Sequence, residues 1–261
     1  MNRKYFFFDI DGTLTNANPG GIILPSTLRT LRKLEENGHF VSIATGRSYS
    51  MAIDGMKETG IKNAVCCGGN GLVINEKVLY IHPIEKEAAL KIINELKEKN
   101  ISFGVRLDDS VDCYSHDPHF FDKAPEMYTF ANLIVLDDDH YEKYDEIHKI
   151  HIALSKDENI TLNSLEETGY HYSRYHDLSI IVEPDDKYKG ILDMVNQIGG
   201  NEEDIVVFGD GHNDISMISK APISIAMGNA IDKLKEVATF VTKPNYENGI
   251  EYACQHFGWI D

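Results

Sequence analysis

Phe6-Phe7-Phe8-Asp9-Ile10-Asp11-Gly12-Thr13-Leu14-Thr15 is an apolar run that ends abruptly in two carboxylates spaced two residues apart. On a strand that spacing points both acids to one face, and at the strand's end into one small volume. Two carboxylates in one place repel each other, so a cation is expected between or beside them.

Outward from this strand the pattern alternates. Ser26–Asn37 reads as an amphipathic helix, Phe40–Ala44 as a strand, Ser48–Thr59 as a helix and Ala64–Cys67 as a strand. Parallel strands joined by crossover helices are the simple reading. Leu72–Ile74 and Val78–Ile81 flank Asn75-Glu76-Lys77 as a hairpin, and Pro83 opens a helix whose apolar face is Ala88, Ala89, Ile92, Ile93 and Leu96.

From residue 83 to 183 the texture changes: strand-like pieces (Ile101–Leu107, Val111–Ser115, Ile150–Leu154, Leu178–Val182) alternate with polar, histidine- and aspartate-rich connections. This reads as a small α/β unit inserted into a first domain formed by 1–82 and 184–261. After Pro184 the α/β alternation resumes, with Lys187–Ile198, Asp214–Ser219, Ala230–Val237 and a last stretch near Gly249–His256 as helices, and Ile205–Phe208, Ile223–Ala226 and Phe240–Val241 as strands.

Composition narrows the partners. A formal net charge of −17 opposes nucleic acid or an anionic membrane surface and leaves small molecules and metal cations. Asp9 cuts the N-terminal apolar run short of a secretory signal, and no run is long enough to span a bilayer. The four cysteines, Cys66, Cys67, Cys113 and Cys254, lack the spacing of a disulfide or zinc framework, which fits free thiols and a cytoplasmic location.

Polar and glycine-rich signatures repeatedly follow strands: Asp9 after Phe8, Thr45-Gly46-Arg47 after Ala44, Gly68-Gly69-Asn70-Gly71 after Cys67, Gly209-Asp210-Gly211-His212-Asn213-Asp214 after Phe208, and Met227-Gly228-Asn229 after Ala226. In an open parallel sheet these meet on one rim, where ligands bind. No P-loop or dinucleotide fingerprint is present, and the acids within Gly209–Asp214 would repel a pyrophosphate. What remains is an acid-rich rim of Asp9, Asp11, Asp210 and Asp214, an oxygen-only set that suits Mg²⁺.

Taken in order, DxDGT at Asp9–Thr13, the hydroxyl of Thr45, a lysine at Lys189 and GDxxND at Gly209–Asp214 resemble the haloacid dehalogenase superfamily over the whole chain. The finer resemblance is to its Cof-type sugar-phosphate phosphatases, which place an α/β cap between the threonine and lysine motifs. Their tails resemble Ala226-Met227-Gly228-Asn229-Ala230 and Asn248-Gly249-Ile250. The resemblance implies a Rossmann-like parallel-sheet core with an inserted α/β cap, and phosphomonoester hydrolysis on a small phosphorylated metabolite. It implies Asp9 as nucleophile through an aspartyl-phosphate, and Asp11 as the acid and base that protonates the leaving oxygen and then activates water. Mg²⁺ would be held by the carboxylates of Asp9 and Asp210 and the carbonyl of Asp11. Asp214 would ligate through water or orient the loop, capping of the next helix being the competing reading.

Thr45, Gly46, Lys189 and Asn213 are the expected phosphate-binding groups. Lys189 is assigned because Gly190 and an apolar helix follow it, with Lys187 standing close by as the other candidate; Thr45 as a helix cap and Asn213 as a loop stabiliser are the plainer alternatives. Arg47, Arg106, His116, His119, Arg174 and His176 remain as candidates for substrate contact. A phosphomutase using the same aspartate, or a sugar-phosphate-binding module without turnover, are the competing functions.

Overall fold

The computed structural model describes residues 2–17, 21–170, 172–184 and 186–261, with residues 175 and 176 described by their backbone alone. In chain order the strands are β1 (Tyr5–Phe8), β2 (Phe40–Ala44), β3 (Ala64–Cys66), β4 (Gly71–Ile74), β5 (Lys77–Ile81), β6 (Phe103–Arg106), β7 (Asp112–Ser115), β8 (Asn132–Val135), β9 (Lys149–Ala153), β10 (Tyr172–His176), β11 (Ser179–Val182), β12 (Ile205–Gly209), β13 (Ile223–Ala226) and β14 (Phe240–Val241). The helices are α1 (Pro25–Glu36), α2 (Tyr49–Thr59), α3 (Lys86–Glu98), α4 (Phe120–Lys123), α5 (Asn163–Thr168), α6 (Lys187–Gln197), α7 (Ile215–Lys220), α8 (Asp232–Val237) and α9 (Gly249–His256).

The chain divides into two compact units, Met1–Tyr80 with Asp185–Asp261 and Ile81–Pro184. The sequence reading put its boundaries at 82/83 and 183/184. In the first unit the strand order is β14-β13-β12-β1-β2-β3-β4-β5. β1 pairs in parallel with β12 on one side and β2 on the other. The sheet therefore grows one way through β2 and β3 and the other way through β12, β13 and β14, and the direction reverses between β1 and β12. That switch point leaves a crevice beyond the carboxyl ends of the two strands. Every residue of β1 and β12 is buried, as expected of strands covered on both faces, and Phe8 stacks on Phe208 with ring centroids 4.7 Å apart. β4 runs antiparallel to β3.

The second unit is a six-stranded sheet, β10-β11-β9-β6-β7-β8. One face carries Phe103, Val105, Ile150, Ile152, Ile180 and Val182 against the apolar side of α3, Ala88, Ala89, Ile92, Ile93 and Leu96. That helix begins three residues after Pro83, which stands outside it. Four of the labelled elements here were absent from the sequence reading: α4, a helix of four residues; β8, whose exposed Ile134 and Val135 give no alternation; β10, a polar edge strand; and α5, a six-residue helix ending at Gly169 in the left-handed region. Each is too short or too polar for hydrophobic periodicity to register. Among the described residues no helix is long and apolar enough to cross a membrane.

Candidate active site

The crevice at the β1/β12 switch holds the acids. Asp9 continues β1, its N–H donating to Phe208 O at 3.1 Å, so its carboxylate leaves the sheet beside Asp210, which continues β12. Between them the chain turns sharply: Leu14 N–H donates to Asp9 O and Thr15 N–H to Ile10 O. The turn needs a glycine at position 12, where φ is +83° and a Cβ would overlap the carboxylate of Asp210. Thr13 Oγ1 donates to Asp210 Oδ1 at 2.9 Å, fixing that carboxylate.

The carbonyl of Gly12 accepts from Asn229 Nδ2 at 2.8 Å and Asn245 Nδ2 at 2.7 Å. Asn245 also donates to Thr15 O. The Met227-Gly228-Asn229 signature is thus a brace for the acidic turn. Asn245, its second arm, escaped the sequence reading because a lone asparagine after a proline looks like any loop residue.

Asp9, Asp210 and Asp214 are all buried, and each offers a carboxylate oxygen within 4.8 Å of the others. Asp214 is fully committed: its Oδ2 accepts from the N–H groups of Asp210 at 2.9 Å and Gly211 at 3.0 Å, and its Oδ1 from Lys187 Nζ at 2.6 Å. It closes its own loop and holds a lysine.

That lysine is Lys187, and here the expectation of Lys189 is corrected. Lys187 is fully buried, and its Nζ donates to Asp9 Oδ1 at 2.7 Å as well as to Asp214. Lys189 points outward, its side chain 65% exposed and 3.5 Å from Asp193 one turn along. The reason is helical phase. On α6 the buried set is Lys187, Tyr188, Gly190, Ile191, Met194 and Val195, so Lys187 shares a face with Gly190, Ile191 and Met194 at i+3, i+4 and i+7, and Lys189 does not. Gly190 is the marker of that inward face: a Cβ there would stand 2.6 Å from both Gly69 O and Val65 Cγ1. Gly69 in turn leaves room for the carbonyl of Asp186, and Asp186 N–H donates to Gly68 O at 2.8 Å. The Gly68-Gly69 stretch thus lets the start of α6 approach β3 closely enough to deliver Lys187.

Thr45 is buried at the end of β2, its N–H donating to Val65 O at 2.8 Å and its Oγ1 accepting from Arg47 N at 3.1 Å. Gly46 follows in the same loop. Asn213 is half-buried, its Oδ1 folded toward Gly211. Arg47, expected as a substrate contact, grips Asp11 bidentately, Nε to Oδ2 at 2.8 Å and Nη2 to Oδ1 at 2.6 Å. Among the other candidates, Arg106 lies buried in the second unit and His116 and His119 are exposed there; the side chain of His176 lies outside the described residues.

The charges in this cluster do not balance. Burial, and then the charge of Asp214, pushes Asp9 well above the usual carboxylate range although Lys187 pulls it down. Asp210 is pushed up to about 7, by burial first and Asp214 second. Burial works against the ammonium of Lys187, yet Asp214 and Asp9 more than offset it and raise its pKa. Three buried carboxylates share one ammonium, an arrangement that calls for a further cation, and an all-oxygen donor set fits a hard divalent ion.

Comparison with known proteins agrees with this geometry. The profile of the haloacid dehalogenase-like hydrolases matches residues 6–253. YkrA of Bacillus subtilis (strain 168) is 32% identical over 263 residues, covering the whole of both chains. Pyridoxal phosphate phosphatase YbhA of Escherichia coli (strain K12) is 28% identical over 273 residues, 96% of this chain and 97% of that one. Among solved structures, the haloacid dehalogenase subclass IIB sugar phosphatase BT4131 superposes with a TM-score of 0.79 at 25% identity, over 98% of this chain and 100% of that one. With a match that runs from β1 into α9 and two carboxylate loops meeting at the sheet's switch point, this chain belongs to the haloacid dehalogenase-like hydrolases and is a phosphoric monoester hydrolase.

Proposed function

We propose that the enzyme is a Mg²⁺-dependent phosphatase of small phosphomonoesters, sugar phosphates foremost, working through an aspartyl-phosphate on Asp9. The observation that carries this reading is Lys187, buried between Asp9 and Asp214: an ammonium with no solvent contact, held against one acid by another, favours the ionised, attacking form of Asp9 against the opposing effects of burial and the Asp214 charge. An oxygen of Asp9 attacks phosphorus as the bond from phosphorus to the leaving oxygen breaks, and Asp11 gives that oxygen its proton. In the second half Asp11 takes a proton from water, the water oxygen attacks phosphorus, and the bond to Asp9 breaks to release inorganic phosphate. Thr45, with the N–H groups of the Gly46 loop, and Lys187 meet the oxygens of the transferring group. The carboxylates of Asp9 and Asp210 and the carbonyl of Asp11 would hold Mg²⁺, which, when bound, offsets the repulsion between the nucleophile and its anionic substrate. Asp214 is the group that positions Lys187 and the Asp210 loop.

The sugar-phosphate assignment is supported by likeness to the subclass IIB sugar phosphatase, and the inserted unit 81–184 is assigned the choice of leaving group. Phosphate release from a panel of sugar phosphates and p-nitrophenyl phosphate tests the reading, with Mg²⁺ and with excess EDTA. Release that requires Mg²⁺ is expected; full turnover in EDTA, or an isomeric ester in place of free phosphate, overturns it.

A further inference from the structure

The two loops that carry the acids are tied together by a third, through hydrogen bonds that the phosphoryl chemistry does not use. The segment from Met227 to Ile231 donates twice to the end of β12, Met227 N–H to Gly209 O and Ile231 N–H to Asp210 O, each at 3.0 Å. Between those contacts Asn229 reaches across to the end of β1, where its Nδ2 donates to Gly12 O. One short loop therefore spans both carboxylate loops. Gly228 lets a further segment lie against it: a Cβ there would stand 2.5 Å from Pro244 N, and Gly228 N–H donates to Lys243 O at 3.1 Å. That segment delivers the buried Asn245, whose Nδ2 donates to the same Gly12 carbonyl and to Thr15 O.

Both amides are fixed in this sense. Asn245 N–H donates to Asn229 Oδ1 and Tyr246 N–H to Asn245 Oδ1, each at 2.9 Å, so each amide turns its oxygen to a backbone N–H and its NH₂ to the acidic turn. What they hold is a residue with no stiffness of its own, since glycine populates either sign of φ and Gly12 sits at +83°. Its N–H, in one planar unit with the Asp11 carbonyl, donates to Ala17 O at 3.2 Å, and its own carbonyl takes both asparagines. With the peptide planes on either side of Gly12 held, the Asp11 carbonyl keeps one direction. Rigidity of this kind discriminates between ions: Mg²⁺ demands a near-ideal octahedron at about 2.0–2.1 Å, whereas Ca²⁺ accepts a looser shell at about 2.3–2.6 Å.

We propose that Asn229 and Asn245 are positioning residues that set a preference for Mg²⁺ over Ca²⁺, by fixing the Asp11 carbonyl relative to the carboxylates of Asp9 and Asp210. The inference rests on the Mg²⁺ reading given above. Neither asparagine is a ligand; both act through the backbone of the acidic turn.

Calorimetric titration of the full-length, substrate-free enzyme with MgCl₂ and with CaCl₂ tests this. Asn245→Ala should raise the dissociation constant for Mg²⁺ by about 10- to 100-fold, the usual cost of losing a group that orients a metal ligand, and that for Ca²⁺ by a smaller factor. Asn229→Ala should shift both in the same direction, and is the second variant should Asn245→Ala prove unfolded by circular dichroism. Ser26→Ala is the control for loss of stability alone: it removes the 2.6 Å hydrogen bond to Asn248, further along the same segment, and should leave both constants unchanged. Equal factors for the two ions in a folded variant, or a loss of selectivity that Ser26→Ala reproduces, overturns the proposal. Wild-type Mg²⁺ binding that the asparagine variants leave intact overturns it alone, whereas a wild-type enzyme that binds neither ion overturns the Mg²⁺ reading and the proposal with it.

Discussion

At the scale of single residues the site turns on which lysine enters it. Lys187→Met deletes a buried ammonium that two carboxylates share, so it should lower kcat by about 100-fold or more and destabilise the fold by about 3–5 kcal/mol, the cost of breaking a buried ion pair. Lys189→Met removes an exposed contact to Asp193 and should leave both within error. Phosphate release and thermal melts of the two variants check this, and equal losses would reverse the assignment. The two leading acids divide in the same manner. Asp9→Asn should abolish turnover of every substrate. Asp11→Asn should still release phenolate from an aryl phosphate in an initial burst, because that leaving group departs without a proton, and then stall as phosphoenzyme. A burst from Asp9→Asn, or wild-type rates in Asp11→Asn, would undo these roles. The acids were legible because two of them stand in one strand-end motif. The lysine was misplaced because the residue before a glycine was weighed above the helical face that the glycine itself marks.

At the scale of elements, glycines at close approaches decide where the side chains arrive. Gly190→Ala gains about 1 kcal/mol of intrinsic helix propensity and would stabilise an unencumbered helix. Here the new methyl would stand 2.6 Å from the carbonyl oxygen of Gly69, which cannot rotate away. The first turn of α6 must back off from β3, costing about 1–3 kcal/mol and drawing Lys187 out of reach of Asp9. A lower melting temperature together with reduced kcat is the expected pair of readings. Asn196→Ala, on the exposed side of the same helix, should change neither. A more stable Gly190→Ala variant would show that the helix start does not limit the site. The parallel strands and α3 were readable because each carries a full apolar face; β8 and β10 were not, because a short exposed edge strand has no inward set to alternate with. The glycine pair that seats α6 was visible only as a loop, since neither partner of a contact 121 positions long announces the other.

At the scale of the whole molecule, one hydrophobic core of the first unit gathers around Phe7, Ile191 and Val207 and one of the second around Ile92, Val105 and Ile150, and among the described residues these two share no member. The acids sit entirely in the first. In a chain of net charge −17, three buried carboxylates against one lysine make that unit carry an electrostatic penalty which a divalent cation relieves. Binding to the folded state alone adds about 2.7 kcal/mol at 100 times the dissociation constant. Mg²⁺ should therefore slow hydrogen exchange of amides in β1 and β12 and leave those in β6 and β9 at their metal-free rates, because relief of charge in one core does nothing for an opening of the other. Asp210→Asn removes one carboxylate from the cluster, so it should raise the metal-free stability of the first unit and at the same time shrink the gain from Mg²⁺. Ca²⁺ should protect the same amides yet suppress turnover, since its larger and more flexible shell accepts Asp9 as a bidentate ligand and ties up the oxygen that attacks. Protection that rises equally in both units would mean that they open as one. Protection unchanged by either ion would mean that the carboxylates of Asp9 and Asp210 hold no metal, and that Lys187 alone balances them.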